Sequence, residues 1–95
     1  MLPVTHGDIR AAALVLMARP QADWPALVRT MLAEADCAAR HRRDFGHCHP
    51  RLGNGSLMSS ALAHAPRAQP SPADTTYLQA MAVVIAVVLQ GRGDA

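Results

Sequence analysis

The sequence predicts an all-α fold, a small bundle of three long helices and one short helix with an irregular Gly/His/Pro loop. Apolar residues recur every three or four positions in segments that begin at capping residues and end at proline or glycine. Only three residues are aromatic, so the core must be built from Leu, Val, Met and Ala on closely packed helices. With 95 residues there is room for one core, and we expect a single helical domain over 1–95.

The first helix is predicted over 6–19. Thr5 followed three residues later by Asp8 resembles a capping box, with Asp in place of Glu. Pro20 is expected to end the helix because it disfavours helical geometry in the residue before it. The residues with helical spacing are Ile9, Ala13, Leu16 and Met17.

The second helix is predicted over 24–45. Asp23 is the candidate N-cap, and Pro25 falls in the first turn, where a missing N–H is tolerated. Gly46 is the expected stop. The apolar stripe over four turns comprises Trp24, Leu27, Val28, Met31, Leu32, Ala35 and Ala39.

An irregular loop over 46–55 is predicted from its three glycines and one proline. A short helix follows, predicted over 55–65 and capped by either Asn54 or Ser56. Pro66 is expected to end it. Pro70 and Pro72 then predict an extended connector.

The last helix is predicted over 73–90, and 71–74 resembles a second capping box. Its second half, 80–89, is apolar all the way round, which is typical of a helix buried on every side. A buried strand would suit the β-branched residues, but no second strand is available to pair with it. Either three amphipathic neighbours or a second copy must cover this helix, and we expect self-association. The residues assigned to that contact are Met81, Val84, Ile85 and Val88.

Composition excludes several classes of protein. Nine arginines, no lysine and seven acidic residues give a net charge of +2, which excludes a strongly polycationic nucleic-acid binder but leaves room for a local basic patch. The longest apolar run has ten residues, too short to span a bilayer. Two cysteines cannot form a disulfide framework, and the N-terminal segment does not read as a signal peptide. We therefore expect a cytoplasmic protein with no membrane partner.

A cluster of Cys and His residues is the candidate metal site. Cys37 and His41 lie four residues apart on one helix, and Cys48 and His49 follow in the loop, so the four could surround a tetrahedral zinc ion. The alternative is a buried Cys37 beside solvated loop histidines. No other cofactor is predicted. No carboxylate pair, activated nucleophile or cofactor loop is visible, so no catalytic residue is assigned and we do not expect an enzyme.

The segment 53–56 opens the short helix and raises a second candidate. Backbone N–H groups at a helix start can hold an anion, and Arg51 lies two residues before. The alternative is a plain turn in which Asn54 caps the helix.

The densest basic region comprises Arg40, Arg42, Arg43 and Arg51. Arginine pairs bidentately with phosphates and carboxylates, so these residues are candidates for contact with nucleic acid or with an acidic protein partner. The alternative is a solvated helix end whose positive side chains lie near the negative end of the helix dipole.

Several segments carry a family resemblance, which would cover nearly the whole chain. The segments are 6–13 (HGDIRAAA), 32–36 (LAEAD), 49–58 (HPRLGNGSLM), Tyr77-Leu78 and Val84-Ile85. The chain resembles a group of short, uncharacterised alphaproteobacterial proteins, for which no activity is implied. In size, helical pattern, basic patch and apolar terminal helix it also resembles the small terminase subunit of phage-like gene transfer agents. That second resemblance implies an oligomer that helps a large terminase engage DNA.

These observations predict a non-enzymatic helical adaptor that works by assembling with itself and binding a larger protein partner such as a large terminase. The second resemblance adds a role in DNA packaging, with weak contact to DNA. The alternative function is a metal-stabilised regulatory protein that uses the Cys37, His41, Cys48 and His49 cluster.

Overall fold

The computed structural model describes residues 2–64 and 74–93, which form four α-helices and one 3-10 turn. In chain order the helices are α1 (His6–Leu16), α2 (Trp24–Phe45), α3 (Leu57–Leu62) and α4 (Thr75–Gly93). The 3-10 turn, Gln21–Asp23, joins α1 to α2. No strand forms in this part of the chain, where the one isolated bridge joins His49 to Gly53 inside the loop. The predicted all-α bundle is confirmed.

The start of α1 is the predicted capping box. The Asp8 N–H donates to Thr5 Oγ1, and the Asp8 carboxylate accepts in return from the Thr5 N–H at 2.7 Å. The helix ends at Leu16, three residues before the predicted boundary. The N–H groups of Ala18 and Arg19 then bond three residues back, to Val15 O at 3.1 Å and Leu16 O at 2.9 Å, so the chain tightens before Pro20.

The bounds of α2 are those that the sequence predicts, but its N-cap is not. Asp23 makes no side-chain capping bond because it closes the 3-10 turn with helical backbone angles. The Trp24 indole N–H instead donates to Arg19 O at 3.1 Å and ties the turn to α2. Gly46 ends α2 as predicted, with φ 74° and its N–H on Arg42 O.

The short helix α3 covers less than the predicted 55–65. Ser56 is its N-cap, since Ser56 Oγ accepts from the Ser59 N–H at 3.1 Å. Gly55 lies outside the helix because its φ is 98°, and a Cβ there would lie 2.9 Å from Ala39 Cα on α2. The loop therefore presses directly onto the backbone of α2.

The last helix, α4, is longer than predicted. It continues through Gly91, the expected stop, to Gly93. Asp74 precedes it, and the Asp74 carboxylate accepts from the Thr76 N–H at 3.0 Å. The rest of the predicted capping box, 71–73, lies outside the described residues, as do Pro66, Pro70 and Pro72.

The core forms where α1 and α2 each pack against both α3 and α4. On α1, Ala13 and Leu16 are buried as the spacing predicts, but Ile9 and Met17 are only partly covered. The fully buried side chains with the largest volumes are Leu16, Met31, Leu57, Val15, Val28, Val84 and Ser60. None of the described helices has the length and apolarity needed to cross a membrane.

The prediction that the apolar helix is buried on every side is wrong. Ala80, Val84 and Val87 are buried, whereas Ile85 is 40% exposed and Leu89 60% exposed. The reason is geometric, because α4 packs mainly on α1 and α2, which cover one face of it. An apolar helix is thus left with an uncovered side.

Candidate functional site

The uncovered side of α4 carries a continuous row of apolar side chains. Leu78, Ala82, Ile85 and Leu89 are all exposed and follow one another at spacings of four, three and four residues. Side chains at this spacing lie on one helix face, and it is the spacing of a coiled-coil seam. We call these four residues the outer row.

The predicted self-association residues are only partly on this face. Ile85 belongs to the outer row, but Val84 is fully buried in the chain's own core, where a second copy cannot reach it. Met81 and Val88 are half-buried and pack against that core. Leu78 and Leu89 were missed, because an all-apolar segment does not indicate which of its faces the neighbouring helices cover.

The outer row is also uncharged. No Asp, Glu, Lys or Arg occurs from Thr75 to Gly91. Exposed apolar side chains grouped on one face, without charges among them, are typical of a surface that contacts another molecule.

The four predicted basic residues are exposed and lie at the C-terminal end of α2 and in the loop after it. Arg40 NH2 is 3.8 Å from Asp36 Oδ2, and Arg43 Nε is 3.7 Å from Asp44 Oδ1. Within the described part of the chain, no carboxylate comes within 4.0 Å of Arg42 or Arg51. We call Arg40, Arg42, Arg43 and Arg51 the basic end of α2. None of these arginines is held in a buried ion pair with another described residue, so their side chains can contact an anionic partner.

Three histidines and a phenylalanine gather beside the basic end. The His41 ring centroid is 4.7 Å from that of Phe45, 5.1 Å from that of His47 and 4.8 Å from that of His49. The left-handed turn at Gly46 sends the chain back towards α2 and so brings His47 and His49 near His41.

His49 organises the loop through its unprotonated nitrogen. Its Nδ1 accepts from the backbone N–H groups of Arg51 and Leu52, each at 3.0 Å. A histidine that accepts two N–H bonds at Nδ1 carries its proton at Nε2 when it is neutral. The His49 N–H also donates to Gly53 O at 3.1 Å, so one residue makes three of the contacts that close this loop.

His41 is held in a setting that favours its neutral form. Partial burial is the main cause that lowers the pKa of His41, the neighbouring His49 and His47 lower it further, and Asp44 opposes them. Its Nε2 is buried without a hydrogen-bond partner. Protonation there would place a charge on a buried nitrogen that no hydrogen bond within the described residues stabilises.

The predicted metal site does not form. Within residues 2–64 and 74–93, no group of three or more His, Cys, Asp or Glu side chains is arranged to hold a metal ion. Cys37 and Cys48 are both exposed free thiols, and His49 already uses Nδ1 as a hydrogen-bond acceptor. The alternative that buries Cys37 is wrong too, because the residue lies on the outer side of α2.

The predicted anion site at the start of α3 is occupied by the protein itself. Asp8 Oδ1 accepts from the Met58 N–H at 2.8 Å, and the Ser59 N–H is taken by Ser56 Oγ. Asn54 is not the helix cap but accepts from the Ser56 N–H at 2.9 Å. A carboxylate from α1 thus fills the place that a free anion would take.

One polar cluster between α2 and α3 is not among the sites that the sequence predicts. The Ser60 hydroxyl is fully buried and donates to Met31 O at 3.0 Å, with Glu34 Oε2 at 3.4 Å. His64 Nε2 lies 3.4 Å from Glu34 Oε1, within ion-pair range but without hydrogen-bond geometry. Glu34 stands between Ser60 and His64, so this is not the order of a nucleophile–base pair, and the cluster ties α3 to α2. The four-residue spacing of Ser60 and His64 is the signal that could have drawn attention to it.

A comparison with protein families gives a match over most of the chain. The model of the family described as "Domain of unknown function (DUF7742)" matches residues 2–88. The chain belongs to this family. The DUF7742 match spans the loop, the basic end and three of the four residues of the outer row, and it confirms the expected membership of an uncharacterised family. Comparison with curated proteins and with solved structures gave no match to this DUF7742 chain.

Proposed function

We propose that this protein is a non-enzymatic helical adaptor that assembles with a second copy through α4 and contacts an anionic partner through the basic end of α2. The single observation that carries the proposal is the outer row, with Leu78, Ile85 and Leu89 exposed on one uncharged face. A chain that buries only one side of its most apolar helix gains free energy when another surface covers the other side.

The size of that gain supports assembly. Burying a Leu or Ile side chain completely contributes about 1.5–3 kcal/mol, and Leu89 is 60% exposed before any contact. A pair of outer rows buries such side chains from both copies. The gain has to exceed the loss of translational and rotational freedom, so the expected dimer is reversible.

The basic end supplies the electrostatic half of the proposal. Arg42 and Arg51 project from neighbouring segments and are free to pair with phosphate or carboxylate groups. The resemblance to small terminase subunits makes duplex DNA the first anion to test, with a role in DNA packaging as the specific form of the proposal. An acidic surface on a larger protein such as a large terminase is the other partner to test.

The assembly half is tested by comparing two exposed leucines. Leu89→Gln removes an apolar side chain from the outer row, and Leu62→Gln removes one of similar exposure, 65%, from α3. In sedimentation velocity we expect Leu89→Gln to remain a monomer where wild type and Leu62→Gln dimerise. Loss of the dimer in Leu62→Gln alone would assign the interface to the groove that Leu62 lines with Leu14 and Met58, between α1 and α3, and contradict the proposal.

The electrostatic half is tested with Arg42→Ala combined with Arg51→Ala. We expect weaker binding to duplex DNA, a smaller salt dependence of that binding and an unchanged helical circular dichroism signal. The matched control is Arg19→Ala, which removes an exposed arginine outside both the basic end and the outer row. Equal DNA binding by all these proteins would show the basic end to be a solvated surface only.

A further inference from the structure

The outer row has a symmetry of its own that bears on how two copies meet. Its four members lie at 78, 82, 85 and 89, so the spacing reads the same from either end. In an antiparallel pair related by a two-fold axis, Leu78 lies opposite Leu89 of the second copy, and Ala82 lies opposite Ile85. Each small side chain then faces a β-branched one, which fills the seam evenly.

The charges near the two ends of α4 also differ in sign. Asp74 immediately precedes α4, and Asp23 lies two residues from Gln21, whose side chain reaches Gln79 at 3.5 Å. At the other end, Arg29 lines a groove with Gln90 and Gly91. An antiparallel pair brings the acidic end of one copy to the basic end of the other, whereas a parallel pair brings like charges together.

We propose that two copies of this chain pair through α4 in an antiparallel, two-fold arrangement centred between Ala82 and Ile85. The inference rests on the proposed self-assembly and adds the orientation of the two copies. The occupant of the outer row is a second outer row, because the row is uncharged, its spacing matches itself in reverse, and charges of opposite sign lie near the two ends of α4.

This orientation determines where the two basic ends lie. Gln21 contacts Gln79 and Arg29 lies beside Gln90, so α2 and α4 run in the same direction. The 16 residues of α2 after Arg29 extend about 24 Å beyond the end of the outer row. The antiparallel pair therefore presents its two basic ends at opposite ends of the dimer, able to bridge two separate anionic sites.

Disulfide cross-linking distinguishes the two orientations. In a Cys37→Ser, Cys48→Ser background, single variants Leu78→Cys and Leu89→Cys are oxidised alone and as a mixture. We expect a cross-linked dimer in the mixture and almost none in either variant alone, because the two Leu78 positions lie roughly 16 Å apart along the seam. A cross-link in Leu78→Cys alone would overturn the antiparallel orientation while leaving self-assembly in place.

A second measurement leaves the outer row intact. With Cys37→Ser, a spin label on the exposed Cys48 reports the distance between the two loops by pulsed electron paramagnetic resonance. The antiparallel pair predicts a separation on the order of 60 Å, from the lengths of the helices. A parallel pair predicts roughly 30 Å, three helix-packing distances, and that result would overturn the inference. If sedimentation shows the spin-labelled protein to be monomeric at the concentration used, both the proposed self-assembly and the antiparallel orientation are overturned.

Discussion

The carboxylate of Asp8 accepts a hydrogen bond from the backbone N–H of Met58, 2.8 Å away and 50 residues later in the chain. Its other oxygen accepts from the Thr5 N–H and the Thr5 hydroxyl at 2.7 and 2.9 Å. One buried side chain thus organises the starts of both α1 and α3. It also joins the two segments, 6–13 and 49–58, that carry most of the family resemblance, and gives them a structural role.

Asp8→Asn tests the importance of this junction. Asparagine keeps the shape but replaces a charged acceptor by an amide and leaves a buried N–H poorly paired. We expect a loss of about 2–3 kcal/mol in the free energy of unfolding, measured in urea. The control is Asp44→Asn, an exposed carboxylate beside Arg43, which should change stability by less than about 0.5 kcal/mol. Equal unfolding midpoints for the two variants would show that the Asp8 hydrogen bonds do not stabilise the fold.

Gly55→Ala tests the contact between the loop and α2. Gly55 has φ 98°, and a Cβ there would lie 2.9 Å from both Cα and Cβ of Ala39. We expect a loss of about 2 kcal/mol or more, seen as a lower melting temperature. Gly91→Ala is the control, because its Cβ would meet no heavy atom within 4 Å and alanine favours a helix by about 1 kcal/mol. A melting temperature unchanged by Gly55→Ala would mean that the loop does not press on α2.

The pH dependence of the free energy of unfolding tests the lowered pKa of His41. Since folding lowers the pKa of His41, mainly through partial burial, the unfolded chain binds its proton more readily. The contribution of His41 to the free energy of unfolding is therefore complete above about pH 6.5, the ordinary pKa of a histidine. It is lost as the pH falls below 6.5 towards the lower pKa that His41 has in the folded protein. We expect His41→Gln to unfold with a flatter pH profile between pH 7 and 5 than wild type. Identical slopes for the two proteins would contradict the lowered pKa.

His49→Ala tests the acceptor that closes the loop. The variant leaves the N–H groups of Arg51 and Leu52 without their partner, and each lost bond contributes about 1 kcal/mol. We expect amide hydrogen exchange at these two residues to speed up roughly fivefold, with the helices unchanged. His47→Ala is the control, because His47 Nδ1 contacts only the adjacent Cys48 O. Protection that survives in His49→Ala would mean that the loop is held by other contacts.

Local signals in the sequence predicted the order of the four helices and several of their termini. Thr5 and Asp8 form the predicted box, Gly46 ends α2, and Ser56 was one of two predicted caps for α3. Each of these features depends on residues no more than four apart. Asp23 failed as a cap because the preceding 3-10 turn gave it helical angles, which the spacing of residues does not reveal.

The surfaces could be predicted only in part, because they depend on long-range packing. The sequence shows that 80–89 is apolar, but only the positions of α1 and α2 determine that Val84 is inside and Ile85 outside. The basic end was predicted from local charge density and is exposed as expected. The Asp8–Met58 bond joins residues 50 positions apart, so no local pattern indicates it. The spacing of Ser60 and His64 is a local signal, but it does not indicate that Glu34 on α2 lies between them.

Self-assembly is tested without any substitution by the mass of the unmodified protein in solution. Sedimentation equilibrium over about 5 µM to 1 mM spans the affinities expected for a small apolar seam. Self-assembly through the outer row predicts a weight-average mass that rises with concentration from that of one chain, 10.1 kDa, to that of two. A mass that stays at one chain over the whole range would contradict self-assembly through the outer row.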